Sequence, residues 1–491
     1  MTILHYLHRM NNMRKPFIFL LIFFSAIHLF AQKVDVSNPV KLSSRVEKVK
    51  IVGKNQDGYV IRLSGDEENF QVYGNDMQLR FAKKLDLRNG DGFVQHMQLY
   101  KTGGVVYFLR PEGKATILLA QMLNGSFLNM GAPIPVDTFQ DNVDIVQSNL
   151  RVKQSANLAF TVFYAPLFNG KIVSSMQTVC IDKNINRVYK RFPLVEKQEK
   201  EMEFAKCFVD TNGTSLLVFN DGLNTMKVCV WGKEESDFKT FQVAFAKKVF
   251  SDPYIELDNK NHQLLLAGFY DNETGMSEPA AYGFFYKTYD YLQGNLKSQS
   301  QTAFPDSFIQ SLTGRMPSQS NNRLYTFAIR KVIQRIDGGV LITAESSIKD
   351  RREEPVVSLS SINPYTSYRT VNTFQYNDII AFSINATGSL EWNSIMRKKQ
   401  YSEEDNGFNS SFVCVNLKDQ LRFIFPEDIS FGSDIDEYTL KSSGEFKKHM
   451  LFEQEDKDVF LVPKQGKQVT PNEVLIPSIK KGELRILRIK Y

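Results

Sequence analysis

Tryptophan is nearly absent, with 2 residues in 491, against 38 Phe and 20 Tyr. Cysteine is almost as scarce. Cys180, Cys207, Cys229 and Cys414 form no C-x-x-C pair, which excludes a disulfide-dense scaffold and leaves buried free thiols as the expectation. Histidine is sparse as well. Beyond residue 31 it occurs only as His96, His262 and His449, without ligand spacing, so no metal site is expected. Motifs that cradle phosphates, bind dinucleotides or present a serine nucleophile are missing, so no cofactor is expected. Asn89-Gly90-Asp91-Gly92 lacks the spacing and distal Glu of a calcium loop and reads as a tight turn.

Charge of one sign is also lacking. Residues 1–31 carry Arg9, Arg14 and Lys15 and no acid. With those three removed from the 60 Lys and Arg, 57 face 54 Asp and Glu, a net of +3. A chain this long with so little net charge shows no overall footprint for nucleic acid. Long apolar runs are confined to Phe17–Phe30, too short for a comfortable membrane span of about 20 residues. Arg14 and Lys15 precede that run and Ala31 closes it. This is the grammar of a cleaved signal peptide over residues 1–31, and Leu29-Phe30-Ala31-Gln32 resembles the signal ends of Bacteroidota exports. The expected location is periplasmic, outer-surface or secreted, for a protein that is not transmembrane and is monomeric.

What is present is a repeat. The chain exceeds the roughly 250–300 residues at which one core stops growing. A short polar turn followed by an apolar strand recurs, as in Asn55-Gln56-Asp57-Gly58 before Tyr59-Val60-Ile61, and Asp337-Gly338-Gly339 before Val340-Leu341-Ile342. Markers at Gly58, Gly104, Asn157, Gly213, Asn261, Gly339, Asp419 and Gly482 are 46, 53, 56, 48, 78, 80 and 63 residues apart. A second hairpin alternates with the first, turning at Gly74-Asn75, Asn124-Gly125, Lys183-Asn184, Glu234-Glu235, Gln293-Gly294, Thr387-Gly388 and Ser443-Gly444. Two hairpins per period of about 50 residues predict an all-β β-propeller of four-stranded antiparallel blades over residues 32–491. About eight blades are expected, or seven if the weak unit at 201–245 is miscounted; two stacked β-sandwiches are the other architecture. On this count the eighth unit ends after its first hairpin. The segment Val34–Leu42 is expected to supply at least one of the missing strands and close the ring.

The stretch Asp337-Gly338-Gly339-Val340-Leu341-Ile342, with the later Asp378-Ile379-Ile380-Ala381-Phe382-Ser383-Ile384 and Gly388-Ser389-Leu390-Glu391-Trp392, resembles secreted bacterial β-propeller repeat proteins. Their repeats join a D-G-G strand to one ending in G-x-L-x-W. One unit matches well; the others keep the turn and lose the Trp. The resemblance implies fold and export rather than an activity.

Two intervals are long, from insertions near 300–322 and 346–377. Pro305–Leu312 reads as a short helix capped by Asp306 or Ser307. Both insertions are predicted to crowd one rim beside the sixth unit, where long loops on a rigid scaffold carry binding residues. Arg351, Arg352, Tyr365, Tyr368, Arg369 and Tyr376 are the candidate binding residues, because Tyr and Arg dominate binding hot spots. The expected function is a binding module for an envelope protein or a glycan. A propeller-type glycoside hydrolase or lyase is the alternative, because carboxylate pairs converge only in three dimensions. A structural role in an envelope assembly is the third.

Overall fold

The computed structural model describes residues 32–491 apart from 44–45, 66–67, 86–91, 170–171, 194–202, 221–224, 233–237, 247–252, 272–280, 316–323, 325, 359–364 and 431. Residues 1–31 and the turn at Glu234-Glu235 lie outside the described residues, as do three of the four positions of Asn89–Gly92.

Strands β1 (Lys33–Val36) and β2 (Val40–Lys41) precede the first complete sheet. Blade 1 comprises β3 (Val46–Lys54), β4 (Tyr59–Gly65), β5 (Asn69–Tyr73) and β6 (Leu79–Lys84). Blade 2 follows with β7 (Phe93–Leu99), β8 (Gly104–Glu112), β9 (Ala115–Leu123) and β10 (Asn129–Phe139), then helix α1 (Val143–Asn149). Blade 3 is β11 (Arg151–Gln154), β12 (Phe160–Asn169), β13 (Ile172–Asp182) and β14 (Arg187–Arg191). Blade 4 is β15 (Glu203–Val209), β16 (Ser215–Asn220), β17 (Thr225–Trp231) and β18 (Lys239–Ala244). Blade 5 is β19 (Tyr254–Asp258), β20 (Gln263–Tyr270), β21 (Gly283–Asp290) and β22 (Asn295–Ala303), trailed by α2 (Asp306–Thr313). Blade 6 is β23 (Phe327–Gln334), β24 (Val340–Ser358), β25 (Tyr365–Ile384) and β26 (Leu390–Glu403). Blade 7 is β27 (Val413–Asn416), β28 (Gln420–Pro426), β29 (Asp434–Lys441) and β30 (Phe446–Glu453). Blade 8 takes β31 (Lys467–Thr470), β32 (Glu473–Lys480) and β33 (Glu483–Lys490) from the end of the chain and β1 from its start, with β2 also on β33.

The protein is therefore an eight-bladed β-propeller of antiparallel sheets. The weak unit at 201–245 is a full blade, and the count of seven does not apply. The phase of the last unit differs from the expectation. Its turn at Lys481–Glu483 joins the second and third strands, not the first and second, so the C-terminus supplies three strands and the N-terminus only the fourth. The first-to-second turn lies at Pro471-Asn472, and measured to Pro471 the last interval falls from 63 to 52 residues.

The second strand of each blade is a continuous apolar run because both of its faces are buried. In β4, Tyr59, Ile61 and Leu63 pack toward blade 8 while Val60 packs toward blade 2. One apolar cluster fills each of the eight junctions, the last of them between blades 8 and 1, where Leu475, Leu484 and Ile486 meet Val49 and Ile51. Burial is thus divided among eight small cores, which is how a chain of this length escapes one oversized core. Recurrent Asx turns set the hairpins: Asp210 Oδ1 accepts from the N–H groups of Asn212 (2.8 Å) and Thr214 (2.7 Å), and Asn385 Oδ1 from those of Thr387 and Ser389. At Gly58 a Cβ would stand 2.1 Å from the Tyr73 carbonyl oxygen, so only glycine lets this turn lie on the third strand.

Helix α2 forms where expected but is capped differently. Pro305 occupies the cap position and offers no side-chain bond, while Asp306 enters the first turn, where its charge suits the helix dipole. Phe308 and Ile309 anchor the helix in the core between blades 5 and 6.

Cys207 and Cys229 both stand opposite Leu217, on strands either side of it. Two interstrand spacings put them about 9–10 Å apart, beyond the roughly 7 Å limit for a disulfide. All four cysteines are free. Burial pushes the Cys180 and Cys207 thiols up to about 12 and Cys414 to about 11. Maleimide at pH 8 is expected to spare these three in the folded protein and to label all four after unfolding without reductant. Fewer than four labels on the unfolded chain contradicts this reading.

Candidate functional site

The second insertion is paired strand rather than loop. β24 and β25 continue past the blade in register from Ser347↔Tyr376 to Ser358↔Tyr365. β26 accompanies them only as far as Thr373↔Glu403, so the arm is three-stranded at its base and two-stranded beyond. Its sequence suits this, with Val356, Val357, Thr366, Tyr368 and Thr370 as strand formers. Arm and α2 leave the ring on the same rim, because connections from second to third strand and from fourth to the next first strand share one face.

The candidate residues do not converge on one site. Arg352 bonds Glu354 and Glu403, each at 2.6 Å, and Arg369 bonds Glu354 at 3.0 Å. The Arg369 guanidinium, with Arg352, holds the Glu354 carboxyl below its ordinary range. Arg352–Glu354 runs along one strand and the other two pairs join different strands; all are at the surface, so each adds little stability. Arg351 is exposed, and Tyr365 ends the described ribbon. Tyr368 is 68% exposed, opposite Pro355, and Val356, in the next pair and so on the other face of the ribbon, is exposed too. Tyr376 is 5% exposed and belongs to the base rather than to the rim surface.

That base is a buried polar network. Glu345 lies 2.9 Å from Lys398 and 3.0 Å from Arg330 and accepts from Ser411 Oγ at 2.7 Å. Lys398 Nζ donates to the Tyr376 carbonyl (2.7 Å) and to Gln400 Oε1 (2.9 Å). The Lys464 ammonium sits 3.8 Å from the centre of the Tyr376 ring and donates to the Gly407 carbonyl. Burial, aided by Arg330 and Lys349 and opposed by Glu345, lowers Lys464 to about 8. A cavity of about 510 Å³ opens here, walled in part by Arg330, Lys349, Tyr376 and Lys464.

The sequence reading missed the channel. The first strands of successive blades adjoin one another around the axis, as β31, β3 and β7 do. They bring Lys50, Lys153, Lys206, Lys331 and Lys467 inward, and repulsion by neighbouring cations is visible in the titration of Lys50 and Lys206. Burial lowers Lys50, with Arg62, Lys467 and Lys48 adding to it. Burial lowers Lys206 too, with Lys153 adding to it and Glu256 opposing. His96 is pushed down to about 4 by burial and then by Lys50, Lys467 and Arg62, so it is neutral at neutral pH. A signal for this existed, since lysines recur on the short strands before the turns. The small net charge concealed it, because net charge says nothing about segregation.

No family model and no curated protein matches the chain. Among solved structures it is similar to the WD40 domain of SCAP from fission yeast, at 10% identity and a TM-score of 0.42, covering 94% of this chain and 98% of that one. It is also similar to a prolyl endopeptidase, at 9% identity and a TM-score of 0.39, covering 92% of this chain and 55% of that chain. A third similarity is to a putative 6-phosphogluconolactonase from Bacteroides fragilis, at 11% identity and a TM-score of 0.35, covering 84% and 95%. The chain thus spans about half the length of the endopeptidase. Among the described residues no helix is long and apolar enough to cross a membrane, and no cluster of three or more His, Cys, Asp or Glu is suited to a metal.

Proposed function

We propose that the protein is exported after cleavage behind Ala31 and serves in the envelope or outside the cell as an interaction module, with the β24–β25 arm engaging a partner protein. One observation carries this reading. The ribbon projects beyond its blade as a paired element that presents Tyr368 and Val356 to solvent, one and two pairs beyond Arg369. An isolated two-stranded ribbon is marginal in water, so a partner surface against it would contribute what the ring does not. Tyr and Arg, which the ribbon exposes at Tyr368, Arg352 and Arg369, are the residue types that anchor interfaces.

The enzyme reading has less support. It calls for acids converging at the channel mouth, whereas the described channel walls are mainly cationic. A carboxyl suited to proton transfer does exist: burial and the neighbouring Glu427 push Asp436 up to about 6. It lies on the outer strands of blade 7, bridged to Lys448 at 2.8 Å, and lines none of the described cavities.

The arm is tested by excision in register. Arg352 stands opposite Val371, so replacing 353–370 with Asn-Gly closes the ribbon without touching Phe374 or Tyr376. The shortened protein is expected to keep its melting midpoint and to lose a partner captured from envelope extract by the intact chain. Tyr368→Ala is expected to weaken capture about tenfold, as an interface anchor does. A partner retained by the shortened protein overturns the assignment.

A further inference from the structure

A chamber of about 1360 Å³ lies at the channel end opposite the arm, formed by blades 8, 1, 2 and 3. Its lining holds Lys50, Lys54, Arg62, Lys101, Lys183 and Lys467 and, among the described residues, no carboxylate. Two of these cations have partners just outside the lining: Lys54 bonds Glu473 at 2.8 Å, and Arg62 bonds Glu68 through two contacts of 2.7 Å. Lys50 and Lys467 do not. Among the described residues Lys467 Nζ donates only to the Val52 carbonyl, at 2.7 Å, and no acid bonds either ammonium. Folding has therefore gathered like charges into a partly enclosed space without neutralising them. That arrangement costs stability, and it recurs in proteins where a ligand supplies the missing charge.

We infer that this chamber binds an anionic oligosaccharide, a chain of several sugars bearing carboxylate or sulfate groups. Size points to an oligomer, since the chamber exceeds the roughly 300–1,000 Å³ of pockets for single small molecules. The charge-bearing groups that remain uncommitted are lysines. Lysine acts as a point charge toward carboxylate or sulfate, while the one arginine fork is occupied by Glu68. The amides of Gln56, Gln154 and Asn184 stand on the same walls and offer donors and acceptors to hydroxyl groups; Gln154 Nε2 is buried there without a hydrogen-bond partner. Single-stranded nucleic acid fits worse, because it needs aromatic platforms for its bases. The lining offers Tyr100, whose hydroxyl donates to the Lys183 carbonyl at 2.8 Å, and the neutral His96. The inference is independent of the arm, which lies on the other rim.

The test is calorimetric titration of the chain from Gln32 to Tyr491 with oligogalacturonate and with a heparin-derived oligosaccharide of similar length. Maltohexaose, polyglutamate and an oligothymidylate complete the panel. At least one of the two acidic sugars is expected to bind about tenfold or more tightly than every other probe, and to weaken between about 50 and 200 mM NaCl as screening sets in. Whichever of the two binds better identifies the charged group. Lys50→Glu is expected to weaken that binding about tenfold or more by reversing one charge in the chamber. The same change relieves repulsion among Lys50, Arg62 and Lys467, so the melting midpoint is expected to stay level or rise, which separates lost binding from lost folding. Lys447→Gln, far from the chamber on β30, is expected to leave affinity unchanged. Equal binding of maltohexaose, tighter binding of polyglutamate or oligothymidylate, no binding at all, or indifference to Lys50→Glu each overturns the inference.

Discussion

Removing residues 32–42 is expected to open the ring. β1 is the fourth strand of blade 8, in register with β33 from Lys33↔Lys490 to Val36↔Leu487. Beyond it Ser37 N–H donates to the Ile486 carbonyl (3.0 Å), Ser37 Oγ accepts from Ile486 N–H (2.9 Å), and Leu42 N–H donates to the Gly482 carbonyl (2.8 Å). Val34 and Val36 pack on the cluster between blades 7 and 8 and Leu42 on that between blades 8 and 1. Arg488 fastens the seam. Its guanidinium bonds the Asp35 carboxylate, donates to Tyr59 Oη at 3.0 Å and reaches the Asn75 carbonyl at 2.8 Å, so one side chain joins the N-terminal strand, the last strand and blade 1. At about 1 kcal/mol per hydrogen bond, plus the apolar contacts, the deletion costs on the order of 5 kcal/mol or more. That is a large part of a typical stability of about 5–15 kcal/mol. It also exposes the edge of β33, and an exposed edge pairs with other chains. The deleted protein is expected to melt far lower and to self-associate on size-exclusion chromatography, and a synthetic 32–42 peptide should partly restore both. A monomer with the original midpoint would show that the seam is not what closes the ring. The proposed export fits this geometry: cleavage behind Ala31 would leave the closing strand intact, whereas cleavage a few residues later would remove it.

How much of this was legible in the sequence depends on how local the signal is. The hairpins were, because an Asx turn and a strand buried on both faces are written in adjacent residues, as at Asp337–Ile342. The placement of Cys207 and Cys229 across one strand followed from the same grammar. The last blade was misphased because Lys481-Gly482-Glu483 has the chemistry of the other turns. Only pairing with β1, more than four hundred residues away in sequence, shows that it joins the second and third strands. The arm was located but taken for a loop. Its mixed charges read as a solvated surface, and the alternation that marks a strand is obscured when both faces are polar. Tyr376 illustrates the limit: its partner Lys464 comes from the connection between blades 7 and 8, and no spacing rule anticipates that contact. The channel lysines were each visible, yet their convergence belongs to the closed ring alone.

Neutralising one member of the Glu345–Lys398 pair is expected to be the most damaging single change. Both side chains are 0% exposed, and they link β24 and β26 at the foot of the arm. In Glu345→Gln the lysine keeps only neutral acceptors, the Tyr376 carbonyl and Gln400 Oε1. Breaking a buried pair from one side costs about 3–5 kcal/mol, because a charge stays in a place that no longer compensates it. Burial already lowers the Lys398 pKa, with Glu345 opposing, and loss of Glu345 lowers it further. The folded state then binds fewer protons at this site than the unfolded chain. Stability of Glu345→Gln should therefore rise as pH increases from neutral toward the lysine's unfolded value of about 10.4. The double variant Glu345→Leu with Lys398→Met removes both charges. It should recover much of the loss at pH 7 and lack that added pH dependence, although Arg330 and Ser411 each forfeit a bond to Glu345. Urea unfolding at two pH values measures all three proteins. If the single variant matches the wild type, or the double is the least stable of the three, the pair is not what fixes the arm to the ring. A large loss in the single variant, repaired in the double, would mean that the arm's foot is held by charge compensation between two strands of blade 6. The rim element would then owe its fixed direction to the buried pair beneath it.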